Sequence, residues 1–296
     1  MRKAAIIFAY NYPEHLNKLI KQLIYDMTTD VYLHIDKKNE GIKERIIKMD
    51  NCYFIKNNYE IEWGRDGFLY AIIESWKEVT SKKKYDWIIL LSGQDLMINN
   101  GLDDFLNKHP NQIFIDSIVD DKNTRVRLLK KWPSKYLKRI DSKLNIIRIL
   151  RRLRIELLKL GLPFFERSVN YDTSCITFYK SFFWSVIPEK VIIWILNYIK
   201  ENPNYMEIFS GMVAEEGFIA TTIMFSPYRN NLIFDENGFS HSLTFFENFV
   251  NNHPPLLKKN DIKKAESSGC FFARKIDPEE SAEFIEYFIK KTRHII

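Results

Sequence analysis

Two adjacent carboxylates, Glu215 and Glu216, precede a segment almost free of charge and have the chemistry needed for proton transfer. Apolar residues at Phe218, Ile219 and Ile223 recur at helical spacing, which places the pair in the first turn of a buried or half-buried helix. A carboxylate there interacts favourably with the helix dipole and can stabilise the helix by about 0.3–1 kcal/mol. It can instead point into a cleft as a general base. The local pattern leaves both interpretations open.

A second candidate is the cation pair Arg274 and Lys275, which follows the apolar residues 270–273. Neighbouring cations repel each other, so a pair delivered by an apolar segment indicates an anionic ligand. Fixed positive charge of this kind can stabilise a diphosphate leaving group. A surface pair at the end of a strand is the alternative.

The elements that must position these residues alternate through the first 120 residues. The apolar runs predict strands and the amphipathic stretches predict helices, with strands within 1–10, 31–36, 52–55, 86–91 and 112–115 and helices at 14–27 and 66–79. This alternation predicts an α/β fold with a parallel, doubly wound sheet, which binds ligands beyond the carboxyl ends of its strands. Tyr10, Asp36 and Asp95 stand at or just past such ends.

The second half of the chain returns to mixed structure after a basic region. We expect a strand at 171–179 and a long helix at 180–200 that includes Trp184 and Trp194. Internal repeats, low-complexity tracts and flexible linkers are absent from the sequence. The 296 residues are therefore expected to form a single domain with a helical insertion.

The basic region extends from 125 to 167 and contains few acids. Apolar residues at helical spacing, namely Leu144, Ile147, Leu150, Leu153, Leu157 and Leu158, predict an amphipathic helix with a basic face. A solvated face over the core and a peripheral contact with anionic lipid are both open interpretations. We expect no nucleic-acid partner, because no recognised binding motif accompanies the charge.

Composition excludes several classes of protein. The chain is 46% hydrophobic with a net charge of +6, as expected of a globular protein. Its three widely spaced cysteines favour neither a disulfide framework nor a zinc site and point to a reducing compartment. No run of 18 apolar residues predicts a membrane span. The glycine motifs of dinucleotide and P-loop sites, the nucleophile elbow and the Asp-x-Asp metal motif are all missing.

Several short blocks, in order, resemble the core-2/I-branching β-1,6-N-acetylglucosaminyltransferases, a family that also includes peptide O-xylosyltransferases. The blocks are Tyr12–Leu16, Val31–Lys38, Trp63-Gly64, Leu90–Asp95, the Glu215-Glu216 helix and Phe272–Asp277. They span nearly the whole chain. The His-Ile-Asp-Lys-Lys, Ser-Gly-Gln-Asp and Phe-Ala-Arg-Lys blocks together make the resemblance specific.

The resemblance implies a GT-A fold and inverting transfer from a UDP-sugar to a carbohydrate hydroxyl, without a metal. N-acetylglucosamine is then the expected sugar and a β-linkage the expected product. The implied halves are a nucleotide-binding half at 1–120, the basic insertion at 121–170, and an acceptor and catalytic half at 171–296. The implied roles are a catalytic base at Glu216, diphosphate binding at Lys275 and Arg274, a nucleotide-sugar pocket at Asp95, and uridine contacts at Tyr10 and Asp36.

The acceptor is expected to be a carbohydrate or a lipid-linked saccharide. Candidate contacts are Glu215 beside the base and three aromatic side chains that can face a sugar ring, Trp132, Phe245 and Phe246. Ordinary core positions are the alternative for the aromatic residues. A non-catalytic carbohydrate- or membrane-binding protein would have no need to keep the carboxylate pair and the cation pair together.

The sequence departs from the family in three ways. The animal enzymes have an N-terminal anchor and many cysteines, whereas we expect neither here, which suits a bacterial cytoplasmic protein that builds surface polysaccharide, with a peripheral position at the inner face of the membrane as an open alternative. The family's second phosphate-binding arginine has no counterpart in residues 241–246, so Arg274 is expected to compensate. Met97 replaces a family proline. A UDP-xylose or UDP-galactose transferase of the same fold is an open alternative.

Overall fold

The computed structural model describes residues 1–25, 28–138, 145–160, 167–247 and 254–293. Its strands are β1 Lys3–Ala9, β2 Thr29–Ile35, β3 Cys52–Phe54, β4 Trp87–Ser92, β5 Leu96–Met97, β6 Phe114–Val119, β7 Tyr179–Pro188, β8 Phe239–Ser240, β9 Thr244–Phe245 and β10 Phe272–Ala273. Among the described residues, one seven-stranded sheet has the order β3-β2-β1-β4-β7-β6-β8. A small second sheet has the order β5-β10-β9.

Helices cover the sheets, and one of them lies within the basic region. They are α1 Pro13–Ile24, α2 Gly67–Lys82, α3 Leu102–Lys108, α4 Asp121–Leu129, α5 Ile146–Lys159, α6 Glu189–Glu201, α7 Ala214–Phe225, α8 Ile262–Ser267 and α9 Ala282–Arg293. In the described part of the chain, none of them combines the length and apolar character needed to cross a bilayer.

The large sheet has an apolar layer on each face. Strands β3, β2, β1 and β4 are parallel neighbours, and β7 then runs antiparallel to β4. Along β1, Ile7 packs in the layer that contains α1, whereas Ile6 packs in the layer that contains α2, because successive strand residues point to opposite faces. The apolar run of β1 is therefore buried on both sides. This arrangement confirms the predicted α/β fold class with a mostly parallel sheet, and the helices and strands predicted for the first 120 residues.

The prediction for residues 171–200 was wrong up to residue 188 and was confirmed for the helix beyond it. Residues 171–178 form no strand, and the segment expected to begin a long helix is instead strand β7, with α6 beginning only at Glu189. The aromatic residues Phe182, Phe183 and Trp184 suit a pleated strand, and their burial alternates between intermediate and buried along the chain. Pro188 then separates strand from helix, because a proline disfavours helical geometry in the residue before it. Trp184 consequently lies on a strand.

The insertion contains a helix as predicted, α5, although residues 139–144 and 161–166 lie outside the described residues, including Leu144 of the predicted stripe. Of the two open interpretations, a solvated basic face over the core does not fit the structure. Leu150, Leu153 and Leu157 of the stripe are exposed, whereas Arg148 is buried. The period of an amphipathic helix defines two faces, but tertiary contacts decide which of them meets the protein.

Candidate active site

A cleft of about 420 Å³ opens at the edge of the large sheet where β1, β2 and β4 end. Because parallel strands end at the same edge, the segments that follow them bring Tyr10, Asp36 and Gln94 together there. The other walls come from β7, α7 and the segment after β10. The residues that line the cleft include Tyr10, Asp36, Trp63, Phe68, Phe182, Phe183, Trp184, Glu215, Glu216, Arg274 and Lys275.

The floor of the cleft depends on Gly93. Its N–H donates to the carbonyl of Phe8 at 2.9 Å, and a Cβ at this position would lie 2.9 Å from the Cβ of Ala9. A larger residue would therefore push the ends of β1 and β4 apart. Next to this contact, the Tyr10 hydroxyl donates to Oε1 of Gln94 at 3.3 Å. The Asp36 carboxylate accepts the N–H of Lys38 at 3.0 Å and is fixed at the cleft edge.

The two carboxylates lie in the first turn of α7, which confirms the predicted helix start. Glu216 accepts a charge-assisted hydrogen bond from Nη1 of Arg127 on α4 at 3.1 Å. The two helices approach closely because residues before and within α7 are small. A Cβ on Gly211 would lie 2.5 Å from the Leu128 carbonyl oxygen, and one on Gly217 would lie 2.9 Å from Cδ1 of Leu128.

The chain enters α7 through a strained residue. Val213 has a φ of 52°, in the left-handed region that β-branched residues rarely adopt. Such a conformation costs about 1–3 kcal/mol and needs the surrounding structure to maintain it. The Met212 N–H donates to the carbonyl of Arg127 at 2.9 Å, so the same contact that holds the entry to α7 also holds Arg127 opposite Glu216.

Glu215 has a different environment from its neighbour. Its Oε2 is buried and has no hydrogen-bond partner among the described residues. Burial raises the pKa of Glu215 to about 8, and the negative charge of Glu216 acts in the same direction. Glu215 therefore keeps its proton at neutral pH, whereas Glu216 is ion-paired with Arg127. The two carboxyl groups are suited to different tasks, one as a hydrogen-bond donor and one as a base.

This difference predicts a pH-dependent gain in stability for Glu215→Gln. The folded protein holds the Glu215 proton up to about pH 8, whereas an ordinary glutamate releases it near 4.5, so this group lowers the free energy of unfolding as pH rises between those values. Because Glu215 is only half-buried, we expect a gain of about 1 kcal/mol or more at pH 8, well below the full linkage value, and little difference near pH 5. Denaturant unfolding at the two pH values measures it.

The matched control for that comparison is Glu201→Gln, a change of the same kind at an exposed position near the end of α6. Its effect on the free energy of unfolding should be similar at both pH values. Equal effects of Glu215→Gln at both values would show that Glu215 is ionised in the folded protein.

The cation pair follows β10, which the neighbouring strands β5 and β9 hold in place. The guanidinium carbon of Arg274 lies 3.5 Å from the ring centroid of Trp184, a cation–π contact. Nη1 of Arg274 also lies 3.4 Å from Oγ of Ser92 and 3.5 Å from Oδ1 of Asp95. Its Nε is buried without a hydrogen-bond partner among the described residues, so one donor is left for a ligand. Lys275 is half-buried in the cleft wall.

Asp95 lies behind the cleft wall rather than in it. Its side chain is fully buried and accepts the N–H and hydroxyl of Ser92 at 2.6 and 2.7 Å. Burial raises the pKa of Asp95 and lowers that of Arg274, while the attraction between the two opposes both shifts. Asp95 is thus placed to position Ser92 and Arg274 from behind the cleft wall.

None of the three aromatic candidates for the acceptor, Trp132, Phe245 and Phe246, is among the residues that line the cleft. Trp132 lines a neighbouring pocket, and its indole N–H donates to the carbonyl of Arg127 at 3.0 Å. Phe245 packs against the hydrophobic cluster around the small sheet. Phe246 contacts Phe182, a residue of the cleft wall, with ring centroids 5.8 Å apart. Trp132 therefore supports the backbone of Arg127.

Sequence reasoning missed Arg127 and most of the aromatic wall. Arg127 was one cation among many in the basic region, and no local signal connects it with Glu216, 89 residues away. Trp184 was assigned to a helix, which hid its place beside Arg274. Trp63 carried a signal, since it belongs to one of the family-like blocks. Among the described residues, no three His, Cys, Asp or Glu side chains are grouped as metal ligands would be.

Comparisons with known proteins place this geometry in context. No protein-family model and no curated protein matches the sequence. The apo structure of the WbbM bifunctional glycosyltransferase is similar over 99% of this chain, which spans only 50% of that protein, with 12% identity and a TM-score of 0.42. The galactosyltransferase LgtC, solved with donor and acceptor sugar analogues, is similar over 80% of this chain and 86% of its own, with 12% identity and a TM-score of 0.31. Similarity at these values carries no argument about chemistry.

Proposed function

We propose that this protein is an inverting glycosyltransferase that moves a sugar from a UDP-sugar to a hydroxyl of a carbohydrate acceptor. The observation that carries the proposal is the meeting of Glu216 with Arg274 and Lys275 in one cleft at the carboxyl ends of parallel strands. A carboxylate opposite two cations supplies both charges that the reaction needs. The family-like blocks support N-acetylglucosamine as the sugar.

In the proposed reaction, Glu216 takes the proton of the acceptor hydroxyl. The acceptor oxygen attacks the anomeric carbon of an α-linked UDP-sugar from the face opposite the UDP. The bond between that carbon and the phosphate oxygen breaks, UDP leaves with the electron pair, and the product has a β-linkage. The ion pair with Arg127 holds the Glu216 carboxylate in position. A positioned base contributes a factor of about 10²–10⁴ to the rate.

The donor would lie along the strand ends. In this proposal Tyr10 and Asp36 contact the uridine, and the ammonium of Lys275 and the unused Nε–H of Arg274 contact the diphosphate. Positive groups fixed where negative charge develops stabilise a leaving group without moving during the reaction. These two side chains thereby take the role that a divalent metal has in other transferases, and we propose that the reaction needs none.

The acceptor would lie between the carboxylates and the aromatic wall. Trp63, Phe182 and Phe183 line the cleft and offer apolar surface to a sugar ring. The protonated carboxyl of Glu215 can donate a hydrogen bond to an acceptor hydroxyl beside the base. A carbohydrate or lipid-linked saccharide of bacterial surface polysaccharide synthesis, in the cytoplasm, is the acceptor that the family-like blocks support.

The proposal predicts UDP release that does not depend on a metal. We expect one donor from a panel of UDP-sugars to be turned over, with the rate changing less than about twofold between EDTA and added Mn²⁺, because fixed cations replace the metal. A UDP-release assay measures this, and the panel should include UDP-N-acetylglucosamine, UDP-xylose and UDP-galactose, since a few pocket contacts decide donor choice. Activity that appears only with Mn²⁺ would contradict the metal-free assignment.

A further inference from the structure

Helix α5 carries its apolar residues on the outside. Six large apolar side chains of α5 and its C-terminal cap are exposed, with Ile146 at 69%, Leu153 at 54% and Leu160 at 78%. They recur three or four residues apart and so form one continuous face of the helix. We call this face the outer stripe, which consists of Ile146, Ile149, Leu150, Leu153, Leu157 and Leu160.

Three of the four arginines of α5, Arg148, Arg151 and Arg154, turn toward the protein instead, whereas Arg152 is exposed. Arg148 is only 3% exposed. The guanidinium carbon of Arg151 lies 4.7 Å from the ring centroid of Trp63, and its Nη1 donates to the carbonyl of Tyr136 at 3.2 Å. Arg154 lies 5.5 Å from the ring centroid of Trp132 and donates to the carbonyl of Lys131 at 3.1 Å. Aromatic faces and carbonyl oxygens thus hold Arg151 and Arg154 against the protein, so the outer stripe faces outward.

A stripe of this kind differs from ordinary exposed apolar residues. Single exposed leucines are normal on protein surfaces, but continuous apolar patches mark contact with a partner or a membrane. The helix has 14 residues, or about 21 Å, and is too short to span a bilayer of about 30 Å. It has the length of a helix that lies in the plane of a membrane surface.

The net charge of this region favours a membrane over a second copy of the chain as the partner of the outer stripe. Residues 130–160 contain eleven lysines and arginines and two acidic residues, a net charge of +9, whereas the whole chain carries +6. Two copies meeting at this face would bring these like charges together, which opposes association. An anionic bilayer would attract the charge and also cover the outer stripe. Lys131, Lys135, Lys138 and Arg152 are exposed in this region and available to lipid phosphates.

We infer that α5 docks on an anionic phospholipid surface, with its outer stripe inserted among the acyl chains. The docked helix would lie beside the cleft, because Trp63 both contacts Arg151 and lines the cleft. The cleft would then open near the bilayer surface, where the sugar of a lipid-linked acceptor would lie. Only this last step rests on the proposed function.

The test is co-sedimentation with vesicles of equal parts phosphatidylglycerol and phosphatidylcholine. Burying one leucine is worth about tenfold or more in a binding constant, so the double variant Leu153→Gln, Leu157→Gln is expected to bind about 100-fold more weakly than wild type. Arg152→Gln is expected to bind about fivefold more weakly, as loss of one cation near an anionic surface predicts. Pure phosphatidylcholine vesicles should bind much less wild-type protein.

The matched control is the double variant Ile193→Gln, Ile233→Gln, which removes two exposed isoleucines outside the insertion. It should bind vesicles like wild type. Wild-type protein that fails to sediment with anionic vesicles, or a leucine variant that binds as well as wild type, would overturn the inference. A wild-type dimer in sedimentation equilibrium that the leucine variant converts to a monomer would assign the stripe to a second copy and also overturn it.

A separate readout distinguishes this inference from the proposed function. Leu153 and Leu157 do not line the cleft, so the leucine variant should release UDP from the donor at the wild-type rate when vesicles are absent. Vesicle binding without any transferase activity would retain the docking surface and refute the catalytic proposal. Transferase activity without vesicle binding would retain the catalytic proposal and refute the docking surface.

Discussion

Glu216→Gln is expected to lower turnover by a factor of about 10²–10⁴ while leaving the fold intact. The amide has the size of the carboxylate and can still meet Arg127, but it cannot accept the acceptor's proton at neutral pH. The loss should therefore appear in kcat, with donor affinity nearly unchanged. Steady-state UDP release with the preferred donor and acceptor measures kcat, and isothermal titration with UDP checks donor binding.

Glu215→Gln is the matched control for that prediction. The change is chemically identical and one residue away, but Glu215 is expected to be protonated at neutral pH, where a glutamine resembles it as a donor. We expect a loss of less than about tenfold, well below that of removing a general base. If Glu215→Gln abolished turnover and Glu216→Gln retained it, the base would be Glu215 and the assignment from the family-like block would be wrong.

Lys275→Met is expected to lower kcat/KM by a factor of about 10²–10³, as loss of one preorganised charge at a leaving group does. Methionine keeps much of the length and apolar character of the lysine stem, so the cleft wall should remain intact. The substitution removes the positive charge, which is expected to stabilise the diphosphate most strongly as it departs. The same UDP-release assay measures the effect under EDTA.

Two variants show whether this effect is local. Lys259→Met removes an exposed lysine that pairs with Glu283, and its kcat/KM should match wild type. Arg274→Lys keeps a positive charge but loses the planar group that lies against Trp184, so a partial loss is expected. An unchanged kcat/KM in Lys275→Met would remove Lys275 from diphosphate binding and with it the main support for a metal-free reaction.

Much of the architecture followed from the sequence alone. The apolar runs of β1 and β4 and the stripes of α1 and α2 predicted the alternation of strand and helix, because local periodicity reflects which faces are buried. The chain order of these elements then placed Tyr10 and Asp36 at one edge of a parallel sheet. The start of α7 at the carboxylate pair was also predictable, since it depends on residues adjacent in sequence.

The tertiary structure decided the rest. The ion pair of Arg127 with Glu216 joins residues 89 positions apart, and nothing in either segment specifies the other. Trp184 contacts Arg274 only because residues 179–188 form strand β7. Pairing with the antiparallel strands β4 and β6 stabilises this strand. The raised pKa of Glu215 comes from burial, which depends on the assembled cleft. The orientation of α5 was decided in the same way, because the aromatic residues that receive its arginines lie outside the helix.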